Sequence, residues 1–189
     1  MNALRPLKWL VVLVGFLISS PLPAEMTSGQ GGLYTELHLA NLSAFDPSVS
    51  GLPIVLGGEG FGSVTRNFRI GGGGGGGFIY GPNDSTHFGM GYGGVMGEYL
   101  FSNWLSFSLL IGGGGYAISN VVSSSQTQAL TTQVAAGGFL LVKPALKAEF
   151  PISNAVRISG SIGLFLPNVS QLQSVTVGLH LAFGRGYGF

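Results

Sequence analysis

The stretch from Ser174 to Phe189 limits what this chain can fold into more than any other. It reads Ser-Val-Thr-Val-Gly-Leu-His-Leu-Ala-Phe-Gly-Arg-Gly-Tyr-Gly-Phe. Side chains on a strand point alternately to opposite faces. Val175, Val177, Leu179, Leu181, Phe183, Tyr187 and Phe189 therefore share one broad apolar face, while Thr176, Gly178, His180, Ala182, Gly184, Gly186 and Gly188 share a small or polar one. This is the pattern of a strand with lipid on one side and a crowded barrel interior on the other. Only 8% of the residues are charged, against about 25% in ordinary soluble domains, and 34 are glycine. Such a chain cannot clothe a water-facing surface with charge. Two architectures remain: a membrane barrel with an apolar outer band, or a glycine-rich secreted fibre subunit built on stacked strands.

The 189 residues suffice for one domain. Cysteine is absent, which excludes a disulfide framework, a thiol nucleophile and a thiolate metal site. At the amino terminus Arg5 and Lys8 precede an uncharged apolar run, Trp9 to Ile18, and then Ser19-Ser20-Pro21-Leu22-Pro23-Ala24. That is the layout of a signal peptide with cleavage after Ala24, because ten apolar residues are too few for a spanning helix, which needs about 20. Residues 1–24 are thus expected to be the signal and 25–189 the folded domain. No basic patch suggests nucleic acid.

Alternation and turn chemistry divide the remainder into eight strands: Leu33 to Leu42, Ile54 to Val64, Phe68 to Tyr80, Phe88 to Phe101, Trp104 to Ile118, Thr132 to Phe150, Val156 to Leu166, and the final strand. A bulge is expected near Gly93-Gly94, where the period slips, and an irregularity at Pro144, which lacks a ladder donor. Ser119 to Thr131 reads as a long polar loop. Tight turns ending in Asn67, Asn103 and Asn154 alternate with longer loops, and the hairpins around them form a weak repeat. The predicted fold is all-β, an eight-stranded antiparallel up-and-down transmembrane barrel, since an even meander can close and remove both edges.

This pattern resembles the small eight-stranded outer-membrane barrels of Gram-negative bacteria, OmpA-like in their transmembrane part. The likeness covers almost the whole mature chain and is most specific at the carboxyl terminus, where Leu181, Phe183, Tyr187 and Phe189 fit the aromatic-ended signal of that family. The resemblance implies an outer-membrane location, lipid as the surrounding partner, and recognition of Phe183, Tyr187 and Phe189 by the barrel-assembly machinery. It also implies that the tight turns face the periplasm and the longer loops face outside. Arg185 departs from the pattern by falling on the lipid face; near the interface such a charge costs about 0–1 kcal/mol, against about 2–4 at the midplane.

Alternation places Glu36, Glu59, Arg69, Glu98, Lys143, Lys147, Glu149 and Arg157 on the inner face, with His180 beside them. Buried charges must be paired. The expectation is an interior ion-pair network that plugs the lumen, with Glu98, Lys143, Lys147, Glu149 and Arg157 clustered toward the turn end; a gated polar path is the alternative. Glycine concentrates in the middle and loop-side halves of strands two to six, which leaves room either for inward Tyr34, Tyr116 and Phe165 or for a small apolar ligand or acyl chain. A pocket of that kind would be lined by Gly73, Gly75, Gly91, Gly112, Gly114 and Tyr116.

Catalysis has little support. No catalytic residue, metal site or cofactor is assigned, because the three histidines are scattered without ligand spacing. His180 is followed by Leu181-Ala182, so the His-x-Ser of barrel lipid A deacylases is missing, and His38 near Glu36 reads as a hydrogen-bonded interior residue. Asp84-Ser85-Thr86-His87 in an outer loop faintly resembles the Asp-Ser of lipid A palmitoyltransferase barrels, leaving a lipid A-modifying enzyme as a minor alternative. The leading expectation is an integral outer-membrane barrel with a structural or surface-interaction role.

Overall fold

A computed structural model describes residues 29–40, 51–80, 86–123 and 129–184. Eight strands are present: β1 (Gly29–Leu39), β2 (Ile54–Ser63), β3 (Phe68–Tyr80), β4 (Thr86–Leu100), β5 (Leu105–Ser123), β6 (Ala129–Pro151), β7 (Val156–Pro167) and β8 (Ser174–Gly184). Each pairs antiparallel with its sequence neighbour, and β8 returns to β1, so the meander closes into a barrel.

Closure sorts the side chains. On β8 the residues Val175, Val177, Leu179, Leu181 and Phe183 face outward, and Ser174, Thr176, His180 and Ala182 are buried. The outer face elsewhere carries Leu33, Leu56, Phe78, Val95, Ile111, Leu140, Phe150 and Ile162. Surfaces of this size and polarity on a soluble monomer would be an aggregation hazard. As the outside of a closed barrel with paired charges within, they form a lipid-facing band.

The three tight turns are structural copies. Val64, Phe101 and Ile152 each donate a backbone N–H to the carbonyl four residues on, at 2.9, 3.0 and 2.9 Å. A hydroxyl fixes each one: Thr65 Oγ1 accepts from the amides of Asn67 and Phe68, Ser102 Oγ from Trp104 and Leu105, and Ser153 Oγ from Ala155 and Val156. Thr65, Ser102 and Ser153, more than the asparagines, are therefore the turn signal, and they account for the hairpin repeat.

Several expectations need correction. β1 begins at Gly29, so the glycine-rich lead is part of the strand. Most of the expected loop Ser119 to Thr131 is strand, because β5 and β6 pair from Ser123↔Ala129 downward. No bulge occurs at Gly93-Gly94, which stay in register with both β3 and β5. The register shift lies instead opposite Ile118/Ser119, where Ala135 and Gln133 pair and Val134 is extra. Pro144 keeps its register with Leu109; toward β7 the ladder skips from Val142↔Leu166 to Ala145↔Gly163 without a shift, as a residue lacking an N–H dictates. The signal region, Asp84-Ser85, Arg185, Tyr187 and Phe189 lie outside the described residues, while Phe183 faces outward as expected.

The space weighed as an alternative apolar pocket is filled. Gly91 faces outward, between the inward Met90 and Tyr92. A Cβ on Gly73 would lie 3.1 Å from Met96, one on Gly75 would lie 2.7 Å from Val55 and 2.9 Å from the Tyr34 hydroxyl, and one on Gly114 would lie 2.7 Å from the Phe139 ring. At Gly112 the backbone of Gly93 itself takes the space, and Tyr116 lies over Gly137. The glycines are thus sockets for side chains from other strands. Gly57→Val is expected to collide with the Tyr34 ring and destabilise the barrel by about 1–3 kcal/mol; urea unfolding in lipid vesicles should show that loss and its partial recovery in Gly57→Val/Tyr34→Ala.

Candidate functional site

The lumen is built in layers. At the turn end Arg69 on β3 and Glu98 on β4 sit directly opposite in the ladder, and Arg69 Nη1 donates to Glu98 Oε2 at 3.1 Å. The same guanidinium reaches across the lumen to Glu149 Oε1 at 3.4 Å, and Arg157 donates to Glu149 Oε2 at 3.0 Å. Lys147 on β6 donates to both Glu59 oxygens at 2.8 Å and lies 3.9 Å from Glu98. Ser106 completes the shell of Glu98 at 2.9 Å. Among the described residues this layer holds three cations, Arg69, Lys147 and Arg157, and three carboxylates, Glu59, Glu98 and Glu149. A cavity of about 10 Å³ beside it, lined by Gln30, Glu59, Arg69, Glu98, Lys147 and Glu149, has room for one water.

A second layer lies nearer the loops. Lys143 Nζ donates to Glu36 Oε1 at 2.6 Å and rests 5.3 and 5.5 Å from the ring centres of Tyr34 and Tyr92. Tyr92 donates its hydroxyl proton to Glu36 Oε2 at 3.0 Å, and Tyr34 donates to Tyr92 at 3.2 Å. His38 sits edge-on to Phe165, ring centres 4.8 Å apart, with Nδ1 3.3 Å from Ser174 Oγ and Nε2 3.7 Å from Glu36. Above lies an apolar layer of Phe88, Ile79, Ile118, Phe139, Leu141 and Phe165, capped by Leu172 from the short 3-10 turn Ser170–Leu172.

All nine residues assigned to an interior network are therefore inside and partnered. One detail differs: Lys143 leaves the turn-end cluster, because two turns of the strand pleat separate it from Lys147 and Glu36 on β1 meets it first. Tyr92 was not foreseen. The expected bulge at Gly93-Gly94 obscured its parity, whereas unbroken alternation from Phe88 to Leu100 puts it inward. Alternation along the seventh strand puts Ser161 inward, but its partner, like that of Ser106, gives no signal in sequence, since inward serine is common.

Ser161 has one feature of a hydrolase. Its Oγ lies 2.9 Å from His180 Nε2, and His180 Nδ1 lies 3.2 Å from Glu59 Oε1, the order of a nucleophile, base and orienting acid. Access decides against that chemistry. Ser161 is 9% exposed and His180 3%, and the hydroxyl points onto Gly178, where even a Cβ would stand 2.5 Å away. Glu59 is also engaged at both oxygens by Lys147. A substrate carbonyl has no place to sit, so the triad acts as packing within the plug. Of the loop candidates, His87 lies in β4, and Ser85 is outside the described residues.

No protein-family model and no curated protein matches the chain. Among solved structures it resembles Ail, the attachment invasion locus protein of Yersinia pestis, at a TM-score of 0.52 and 13% identity over 83% of this chain and 96% of that one. Two further similar structures are the N-terminal β-barrel domain of Pseudomonas aeruginosa OprF (TM-score 0.48, 14% identity, 83% and 96% covered) and Neisserial surface protein A (TM-score 0.48, 12% identity, 86% and 98% covered). The fold is that of a small eight-stranded outer-membrane barrel.

Replacing Lys143 by Met would strand Glu36, and breaking one side of a buried pair costs about 3–5 kcal/mol. Urea titration should show that loss for Lys143→Met and a much smaller one for Glu36→Gln/Lys143→Met, which removes both charges. Ser161→Ala should cost only about 1 kcal/mol, the value of one hydrogen bond.

Proposed function

We propose that this chain is an integral barrel of the bacterial outer membrane with a structural or surface-interaction role, its lumen closed by the two charged layers. The observation that carries the reading is the cross-lumen pairing of β6 with three other strands, through Lys143–Glu36, Lys147–Glu59 and Glu149–Arg69. These contacts bridge the bore rather than line it. Eight strands also give an interior only wide enough for side chains to fill.

The amino-terminal residues 1–24 fit a cleaved export signal, and Phe183, with Tyr187 and Phe189 beyond it, fits a signal for the assembly machinery. Membrane lipid is the partner that the outer band requires. The tight turns then face the periplasm and the loop end faces outside. Neither an apolar carrier nor a lipid A-modifying enzyme draws support from the geometry: the glycine-lined half is filled by Tyr34, Val55, Met96 and Phe139, and the one Ser-His-Glu arrangement is sealed.

Purified protein in planar bilayers should show no steady conductance. The variant Arg69→Ala/Lys147→Ala, if it still folds by its heat-modifiable gel mobility, should stay closed as well, because the Glu36–Lys143 layer and the apolar layer above it remain. A steady open state in the unmodified protein would overturn the plug.

A further inference from the structure

The strands of this barrel differ in height at the loop end. β5 and β6 are paired over their whole length up to Ser123↔Ala129, but the β6–β7 ladder begins only at Leu141↔Pro167. The β6 segment from Ala129 to Leu140 therefore has β5 on one side, and among the described residues no strand on the other.

Leu140 shows which groups this edge presents. Its N–H donates to Asn168 Oδ1 at 3.0 Å and its carbonyl accepts from Asn168 N at 3.0 Å, so both its peptide groups point away from β5. By the two-residue repeat of a strand, Gly138 and Ala136 point the same way, while Phe139 and Gly137 bond to β5. The bulge opposite Ile118/Ser119 then ends the regular run. Natural sheets protect such edges with lysine, proline or inward charge. The segment Ala-Leu-Thr-Thr-Gln-Val-Ala-Ala-Gly-Gly-Phe-Leu carries none of these. Nor can the edge lie in hydrocarbon, where unpaired peptide groups are not tolerated, so it stands clear of the membrane.

The geometry points to a strand-addition site at Ala136 and Gly138 for an extended, uncharged segment of another protein. Asn168 already imitates one residue of such a strand at Leu140. The absence of charge along the edge selects an uncharged segment, and Gly138, without a side chain, leaves a place for an aromatic or β-branched residue opposite it. A second barrel in the same membrane is a poor occupant. Its β6 descends toward the membrane in the same sense, tilted by about 35–45°, so two such edges cannot form the antiparallel ladder that an isologous pair would require.

Exposure of this edge to a partner outside the cell rests on the orientation proposed above, but the site itself can be tested without it. The probe is a fluorescent Thr-Val-Tyr-Val-Thr peptide N-methylated on alternate residues, so that one edge alone can pair. In detergent micelles the full chain should bind it saturably, Gly138→Pro should weaken binding at least tenfold, and a peptide methylated on the pairing amides should not bind. In the free protein the amides of Ala136 and Gly138 should exchange rapidly with solvent, those of Gly137 and Phe139 slowly, and the peptide should protect the first pair. Equal binding of the blocked peptide would overturn the proposal. So would protection of Ala136 and Gly138 without peptide: at monomer size it would mean that the chain's own segments cover the edge, and at dimer size a second copy. Labelling of Gln126→Cys by an impermeant maleimide on whole cells tests orientation separately. No labelling together with peptide binding would overturn the outward orientation and leave the edge standing.

Discussion

Everything in this molecule depends on the ladder between its first and last strands. From Gln30↔Gly184 to Leu39↔Val175 the two ends of the meander pair without a break. Joining strands about 150 residues apart costs roughly 4–5 kcal/mol in chain entropy, yet leaving the seam open in lipid would cost several kcal/mol for each unpaired peptide group. The seam has its own fitted residue. Gly184 adopts φ +130° and donates to Ala155 while passing so close to Gly29 that no Cβ could be accommodated. With the seam closed, inside and outside become distinct, and alternation then decides where every side chain goes.

The charges inside are better understood as register pins than as a source of stability. Exchanging a buried ion pair for apolar groups of equal volume is often neutral or favourable. A slip of β6 by one residue is different: it would turn Lys143 and Lys147 outward, at about 2–4 kcal/mol each near the membrane centre, and orphan Glu36 and Glu59 within. The two lysines lie four residues apart on one strand and reach carboxylates on neighbouring strands β1 and β2. Together they fix which walls of the barrel face each other.

Alternation is the part of this arrangement that is legible in sequence. A period of two is visible from composition along one strand, so the eight strands, the outer band and the inward identity of Glu36, Glu59, Arg69, Glu98, Lys143, Lys147, Glu149, Arg157 and His180 could all be read. Partners across the lumen could not, because Lys143 and Glu36 are 107 residues apart and nothing local relates them. The heights of β5 and β6 were hidden for another reason. Their upper parts are rich in serine, threonine and glutamine, which look like loop when the strand stands in water and loses the apolar outer face that marks it in lipid. The Ser161–His180 contact was invisible because it follows from Ser161 lying opposite Gly178 across β7 and β8, a matter of register.

Glycine and bulk form a single arrangement in this barrel. Inward glycines on β2, β3 and β5, at Gly57, Gly73, Gly75 and Gly114, receive Tyr34 from β1, Met96 from β4, Val55 from β2 and Phe139 from β6. A narrow bore cannot hold large residues at every position, so each of these side chains lies over a glycine of the neighbouring strand, its ladder partner or the next inward residue. The same economy bears on gating. Freeing Glu98 or Glu149 from Arg69 would loosen only the turn-end layer, since Glu36 with Lys143, Tyr34 and Tyr92 forms a second closure and Phe88, Phe139 and Phe165 a third. An open path would require all three layers to rearrange together, and the glycine sockets that hold the aromatics make the upper two the most tightly seated.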